Sequence, residues 1–184
     1  MWKKIWKIKV PERVRMLLWR IATFTIPVKE VLGQRLELDN QDCVLCQDGQ
    51  ETVSHLFFHY PVARAIWFSS CWGLRALNCN IRSNTDIIKL ILDLPSPSAS
   101  DIDEEFISLT MTFVVDEIWY LRNQVNFQDG KVDIQLSSNS ICRRALEFST
   151  SVIGEHLSPL PHPLSRSPPL EGSIKLNVDA AVTL

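Results

Sequence analysis

A chain of 184 residues with 46% hydrophobic content is long enough for one ordinary core, or a small core with an appendage, and too apolar for wholesale disorder. Its formal net charge of −2 gives no global case for nucleic-acid binding. The opening run MWKKIWKIKV breaks every apolar stretch with charge, which excludes a signal-peptide core, and nowhere do about 18 apolar residues run together as a membrane span requires.

Charge is unevenly placed along the chain. The first segment carries Lys3, Lys4, Lys7, Lys9, Arg13, Arg15 and Arg20 against the single acid Glu12. Pro11 followed by ERVRMLLWRI predicts a helix entered at its first turn, with Val14, Leu17, Leu18 and Ile21 as its buried stripe and the arginines largely on the other face. A second, short helix is expected from Val28 to Leu36. The segment DNQDCVLCQDGQE that follows is polar and turn-rich, so it reads as a loop that something else must hold. Thr52 to Phe58 predicts a helical turn or two, and Pro61 opens another helix with Val62, Ala63, Ile66 and Trp67 on one side.

Asn84 or Thr85 is the expected cap of a helix through IIKLILDL, which ends in the loop PSPSAS. The acidic cluster Asp101, Asp103, Glu104 and Glu105 reads as the start of the next helix, where carboxylates complement the free N–H groups of the first turn. That long periodic stretch, DIDEEFISLTMTFVVDEIWYLRNQVNF, is apolar enough for a core. After the turn signal QDGK a last helix is predicted from about Ile134 to Leu157, with Ile141, Ala145, Phe148 and Val152 facing inward. Five of the ten prolines then fall between Pro159 and Pro169 and make PLPHPLSRSPPLEG an extended linker. Beyond it SIKLNVDAAV alternates Ile174, Leu176 and Val178 with polar neighbours, a strand pattern. One strand cannot bury itself, so this ending is expected to be truncated.

One constellation carries chemistry. Cys43-x2-Cys46, followed after eight residues by His55-x3-His59, has the donor types and local spacings of a small structural zinc site. Two thiolates on a tight turn can share one ion, and two histidines four apart on a helix project from one face to complete a tetrahedron. The ion then replaces the apolar core that a loop of this composition cannot build. The opposing reading is two reduced, half-buried cysteines and a surface histidine. The odd number of cysteines argues against a disulfide framework, and Cys71, Cys79 and Cys142 are read as packing residues.

The run Trp2-x3-Trp6, then VPERVRMLLWRIATFTIPVKEVLGQR, then CVLC, then ETVSHLFFHYPVARAIW, resembles the reverse-transcriptase zinc-binding domain found near the C-terminus of plant LINE-type (non-LTR) retrotransposon proteins. The resemblance spans roughly residues 2 to 72. The family pattern continues from Cys-x2-Cys through Glu-Ser/Thr-x-x-His to a cysteine at His-x4-Cys. Cys43, Cys46 and His55 match it, whereas the last position is Tyr60, a poor ligand at neutral pH because a free phenol has a pKa near ~10. His59, one residue earlier, is the candidate replacement, but it points about 100° away around a regular helix. Further on, DEIWYLRNQVNF resembles the Trp-x-x-Arg-Asn segment that follows this module. PPLEGSIKLNVDAAV resembles the entry to a ribonuclease H domain, with Asp179 matching its first metal-binding aspartate.

Together these readings predict a mainly α chain, with a small helical zinc-binding module at 1–82, a helical connector at 83–158, a Pro-rich linker at 159–172 and one C-terminal β-strand of a truncated ribonuclease H domain at 173–184. The expected cofactor is zinc on Cys43, Cys46, His55 and His59. The expected function is non-catalytic: a retrotransposon-derived zinc module that binds RNA or DNA through Lys3, Lys4, Lys7, Arg13 and Arg20, with Trp2, Trp6 and Trp19 available for stacking. Neither a membrane nor a small-molecule substrate is expected, and the location is intracellular, nuclear or cytoplasmic. The alternatives are an inert structural fragment of a degenerate element and a truncated ribonuclease H enzyme. For the tryptophans, the competing reading is an amphipathic helix that buries them and solvates its lysines.

Overall fold

The structure, a computed structural model, describes residues 2–38, 40–70, 73–93, 101–128 and 130–157, leaving aside the side chains of 101–103 and 151–157. The linker expected at 159–172, the strand at 173–184 and Asp179 lie outside these residues. Among the described residues the chain is mainly helical, and its only strand-like feature is an isolated antiparallel bridge between Asp42 and Gln50.

The described residues form seven α-helices in order: α1 (Trp2–Lys7), α2 (Glu12–Ala22), α3 (Lys29–Gly33), α4 (Pro61–Ser69), α5 (Asn84–Leu92), α6 (Asp101–Gln128) and α7 (Ile134–Leu157). A π-helical turn at His55–His59 leads into α4, and a 3-10 turn at Ala76–Asn78 precedes α5. Helix α2 buries the stripe Val14, Leu17, Leu18 and Ile21, with Pro11 preceding it in an extended conformation. Pro61 opens α4, where its missing N–H costs nothing, and Ala63, Ile66 and Trp67 turn inward. Helix α3 covers five residues and is shorter than the expected Val28 to Leu36. The cap of α5 is Ser83, one residue before the expected pair. Its hydroxyl and the Asp86 carboxylate satisfy the first turn reciprocally as a capping box.

Helix α6 is the spine of the fold. Residues 109–118 are all buried, so this stretch is covered on every side rather than along one stripe. Thr110 and Thr112 tolerate that burial by donating their hydroxyls to the carbonyls of Phe106 and Ser108, at 2.8 and 2.7 Å. Helix α7 packs along α6 with Ile141 and Ala145 buried, while α2, α4 and α5 cover the remaining sides. One cluster of buried side chains runs from Ile5 through Ile87 and Phe113 to Ala145. The core therefore passes without a break across residue 82, the boundary expected between module and connector.

Cys79 is a half-buried free thiol, whereas Cys142 is disulfide-bonded and so is more than the packing residue expected of it. No helix among the described residues is long and apolar enough to cross a membrane.

Candidate metal centre

The loop that carries the paired cysteines is shaped by its backbone. Cys43 N–H donates to the Gly49 carbonyl and Gln47 N–H to the Cys43 carbonyl, both at 2.8 Å, which closes a tight turn between the two thiols. Gln47 and Gly49 adopt φ values of 56° and 92°; the second is a conformation that glycine enters without steric cost. Beyond the Asp42–Gln50 bridge, Thr52 accepts the His55 N–H on its hydroxyl at 3.0 Å and starts the helical turn that presents the imidazole.

This arrangement gathers three donors. The ligand atoms of Cys43, Cys46 and His55 all lie within 4.8 Å of one another, with Cys46 Sγ 3.3 Å from His55 Nε2. Desolvation by burial first, and then repulsion from the neighbouring His59, lower the His55 pKa, so the ring favours the neutral form that binds metals. Burial pushes the Cys43 thiol up to about 11, so without a cation this sulfur holds its proton at neutral pH. Two thiols and an imidazole on a tight turn suit zinc by donor type and supply three corners of its tetrahedron.

The expected fourth member, His59, is not brought into the set. It is exposed, and a π-turn explains why. Tyr60 N–H donates to the His55 carbonyl at 2.8 Å, closing the loop over five residues and returning position 60, rather than 59, above His55. The π-turn of this chain thus brings round the position that the family pattern gives to its last cysteine. In this chain position 60 holds a phenol, 4% exposed, which donates its hydroxyl to the Leu45 carbonyl at 3.3 Å. Burial first, then the nearby Cys43 and Cys46, pushes that phenol up to about 12, so it stays protonated.

A buried ion pair fastens the loop to the body. Glu51 is fully buried and accepts Arg122 of α6 at 2.8 Å and the Lys29 N–H, at the start of α3, at 3.0 Å. Its backbone joins in, with its N–H donated to the Gln41 carbonyl and its own carbonyl accepting the Glu30 N–H. Arg122 also lies over the Trp119 ring, 5.2 Å from its centroid. Both residues sit in motifs quoted above, ETVSH and Trp-x-x-Arg-Asn, with no role assigned to them. Their pairing leaves no local signal in the sequence: Glu51 stands among Gly49, Gln50, Thr52 and Ser54, and Arg122 lies 71 residues away. A second cluster joins three helices: Asp116 of α6 accepts Arg13 of α2 through two bonds, at 2.8 and 3.0 Å, and Arg144 of α7.

The five expected nucleic-acid contacts divide accordingly. Lys4 is paired with Asp93 and Arg13 with Asp116, while Lys3, Lys7 and Arg20 are exposed and form no ion pair among the described residues. Trp2 and Trp6 are 46% and 48% exposed, and α1 is anchored by the buried Ile5 between them. Trp19 is half-buried against the core.

The profile of a family described as zinc-binding in reverse transcriptase matches residues 1–67. A protein of Arabidopsis thaliana named as a ribonuclease H protein is 30% identical over 63 residues, which cover 34% of this chain and 10% of the relative. The chain thus spans about a tenth of the length of the curated relative it matches. No solved structure matches.

Proposed function

We propose that this chain is a non-catalytic nucleic-acid-binding module of a non-LTR retrotransposon protein, organised at its amino-terminal third by zinc. Cys43, Cys46 and His55 would hold the ion. When bound, zinc cross-links the cysteine turn to the π-turn and gives a polar loop the rigidity it cannot draw from apolar burial. The residues themselves do the rest: Glu51 and Arg122 seat the loop on α6, and α1 stands out from the core on Ile5.

The observation that carries the binding role is the exposure of Trp2 and Trp6 on a lysine-bearing helix. An amphipathic helix in the service of the core would bury its tryptophans; this one buries Ile5 and leaves both rings nearly half open, with Lys3 and Lys7 beside them. Aromatic faces flanked by unpaired cations suit a single strand, whose bases stack and whose phosphates pair. The ribonuclease H name of the relative is not carried over as an activity. The 63 residues shared with that relative cover 10% of its length, too little to carry its activity to this chain.

Fluorescence anisotropy with a labelled single-stranded RNA, followed across salt, tests this reading. Neutralising Lys3 and Lys7 together should make the slope of log K against log salt shallower by about 1.4, at roughly 0.7 per single-strand phosphate contact. Trp6→Ala should weaken binding by about 1–3 kcal/mol if a base stacks there. An unchanged slope, or the absence of any salt-dependent binding, would leave the inert-fragment reading in its place.

A further inference from the structure

Closed structural zinc sites use four protein ligands, and here three are gathered. What stands at the fourth corner follows from the π-turn. Because the chain needs five residues to come round, position 60 returns to the face of His55, and His59 is turned to the surface. The side chain that does return is not offered to the set: the Tyr60 hydroxyl donates to the Leu45 carbonyl within the cysteine turn itself. Its use as a ligand would break that partly buried bond and strip a phenolic proton. Cys46 and His55 are only partly buried, so solvent can reach this side of the set.

We propose that the metal centre is open: an ion on Cys43, Cys46 and His55 keeps one exchangeable position, filled by water or a small nitrogen or sulfur donor rather than by Tyr60 or His59. Charge and protons balance. A divalent ion takes up two thiolates and a neutral imidazole, the two thiol protons pass to solvent, and all but one of its bound waters leave to solvent in exchange for the three protein donors. The consequence is a weaker and more labile site than one with four protein ligands, able to take a ligand from outside the chain. The inference rests on the metal reading above.

Cobalt(II), a coloured stand-in for zinc, is added to the full chain, and its visible band is followed as imidazole is titrated in. The expected result is one ion per chain and a saturable imidazole-dependent shift of the band in the parent, in Tyr60→Phe and in His59→Ala alike. Tyr60→Cys should close the corner, bind the ion more tightly than the parent and lose the imidazole response. A parent band that ignores imidazole, or that changes on Tyr60→Phe or His59→Ala, means that a side chain fills the corner; openness then fails while the zinc module stands. If the parent binds no cobalt, both fail, whether or not Tyr60→Cys binds it.

Discussion

Between residues 109 and 118 every side chain is buried, and α6 is held there mainly by apolar contact, with Asp116 and Glu117 paired to Arg144. Between residues 41 and 50 only Cys43 is buried, and the chain is held by a handful of backbone hydrogen bonds, one bridge and three gathered donors. The first region draws most of its stability from many small apolar terms, with the buried Asp116 carboxylate, held by Arg13 and Arg144, as its chief polar exception. The second has no such reserve. Where a loop cannot bury enough surface to offset the entropy of ordering it, a few strong and specific interactions must do so. Glu51 and Arg122 sit where the two regimes meet, and their substitution probes both at once.

The largest effect is expected there. Arg122→Met leaves the fully buried Glu51 carboxylate without its counter-ion, which should destabilise the chain by about 3–5 kcal/mol in urea unfolding. Adding Glu51→Gln should restore part of the loss, since a neutral amide is far cheaper to bury than a lone carboxylate. A single substitution costing less than about 1 kcal/mol would mean that the loop and the helical body are independent, and that the ion pair is an ornament of the interface.

A smaller effect tests the helical body alone. Burial raises the Glu117 pKa above its ordinary 4.5, and this outweighs the lowering by the Ser137 hydrogen bond and by Arg144. An acid raised on folding binds its proton more tightly in the folded state, so its contribution is fully present below about pH 4.5 and is lost as pH rises through the raised value. Glu117→Gln should flatten that decline and leave the protein slightly more stable at neutral pH. Denaturation midpoints measured from pH 4 upward would check this, and a variant whose profile parallels the parent's would assign the buried cost to another group.

The two regions also differ in how legible they were in the sequence. The helical body was largely readable, because a buried stripe imposes a period: Val14, Leu17, Leu18 and Ile21 on α2, and Ile141 and Ala145 on α7, lie inward as their spacing predicts. The bounds Ile134–Leu157 also agree. In the loop, Cys43, Cys46 and His55 were legible as donor types at metal-ligand spacing. The π-turn was not, since a five-residue closure leaves no mark on apolar periodicity, and a regular-helix assumption therefore brought His59 forward as the fourth ligand. Pairings across the chain were equally silent. Glu51 and Arg122 are 71 residues apart, and Arg13 and Asp116 are 103 apart, so nothing local revealed which charges would be used up in the fold. That is why Lys4 and Arg13 looked as available for nucleic acid as Lys3 and Lys7.

Amide hydrogen exchange with and without one equivalent of zinc bears most directly on the claim that a cation organises the cysteine loop while apolar packing organises the spine. Zinc should slow exchange at Cys43, Gln47 and Tyr60, whose N–H groups close the cysteine turn and the π-turn, and leave residues 109–118 unchanged. Equal protection of both regions, or none at the three loop amides, would contradict the account.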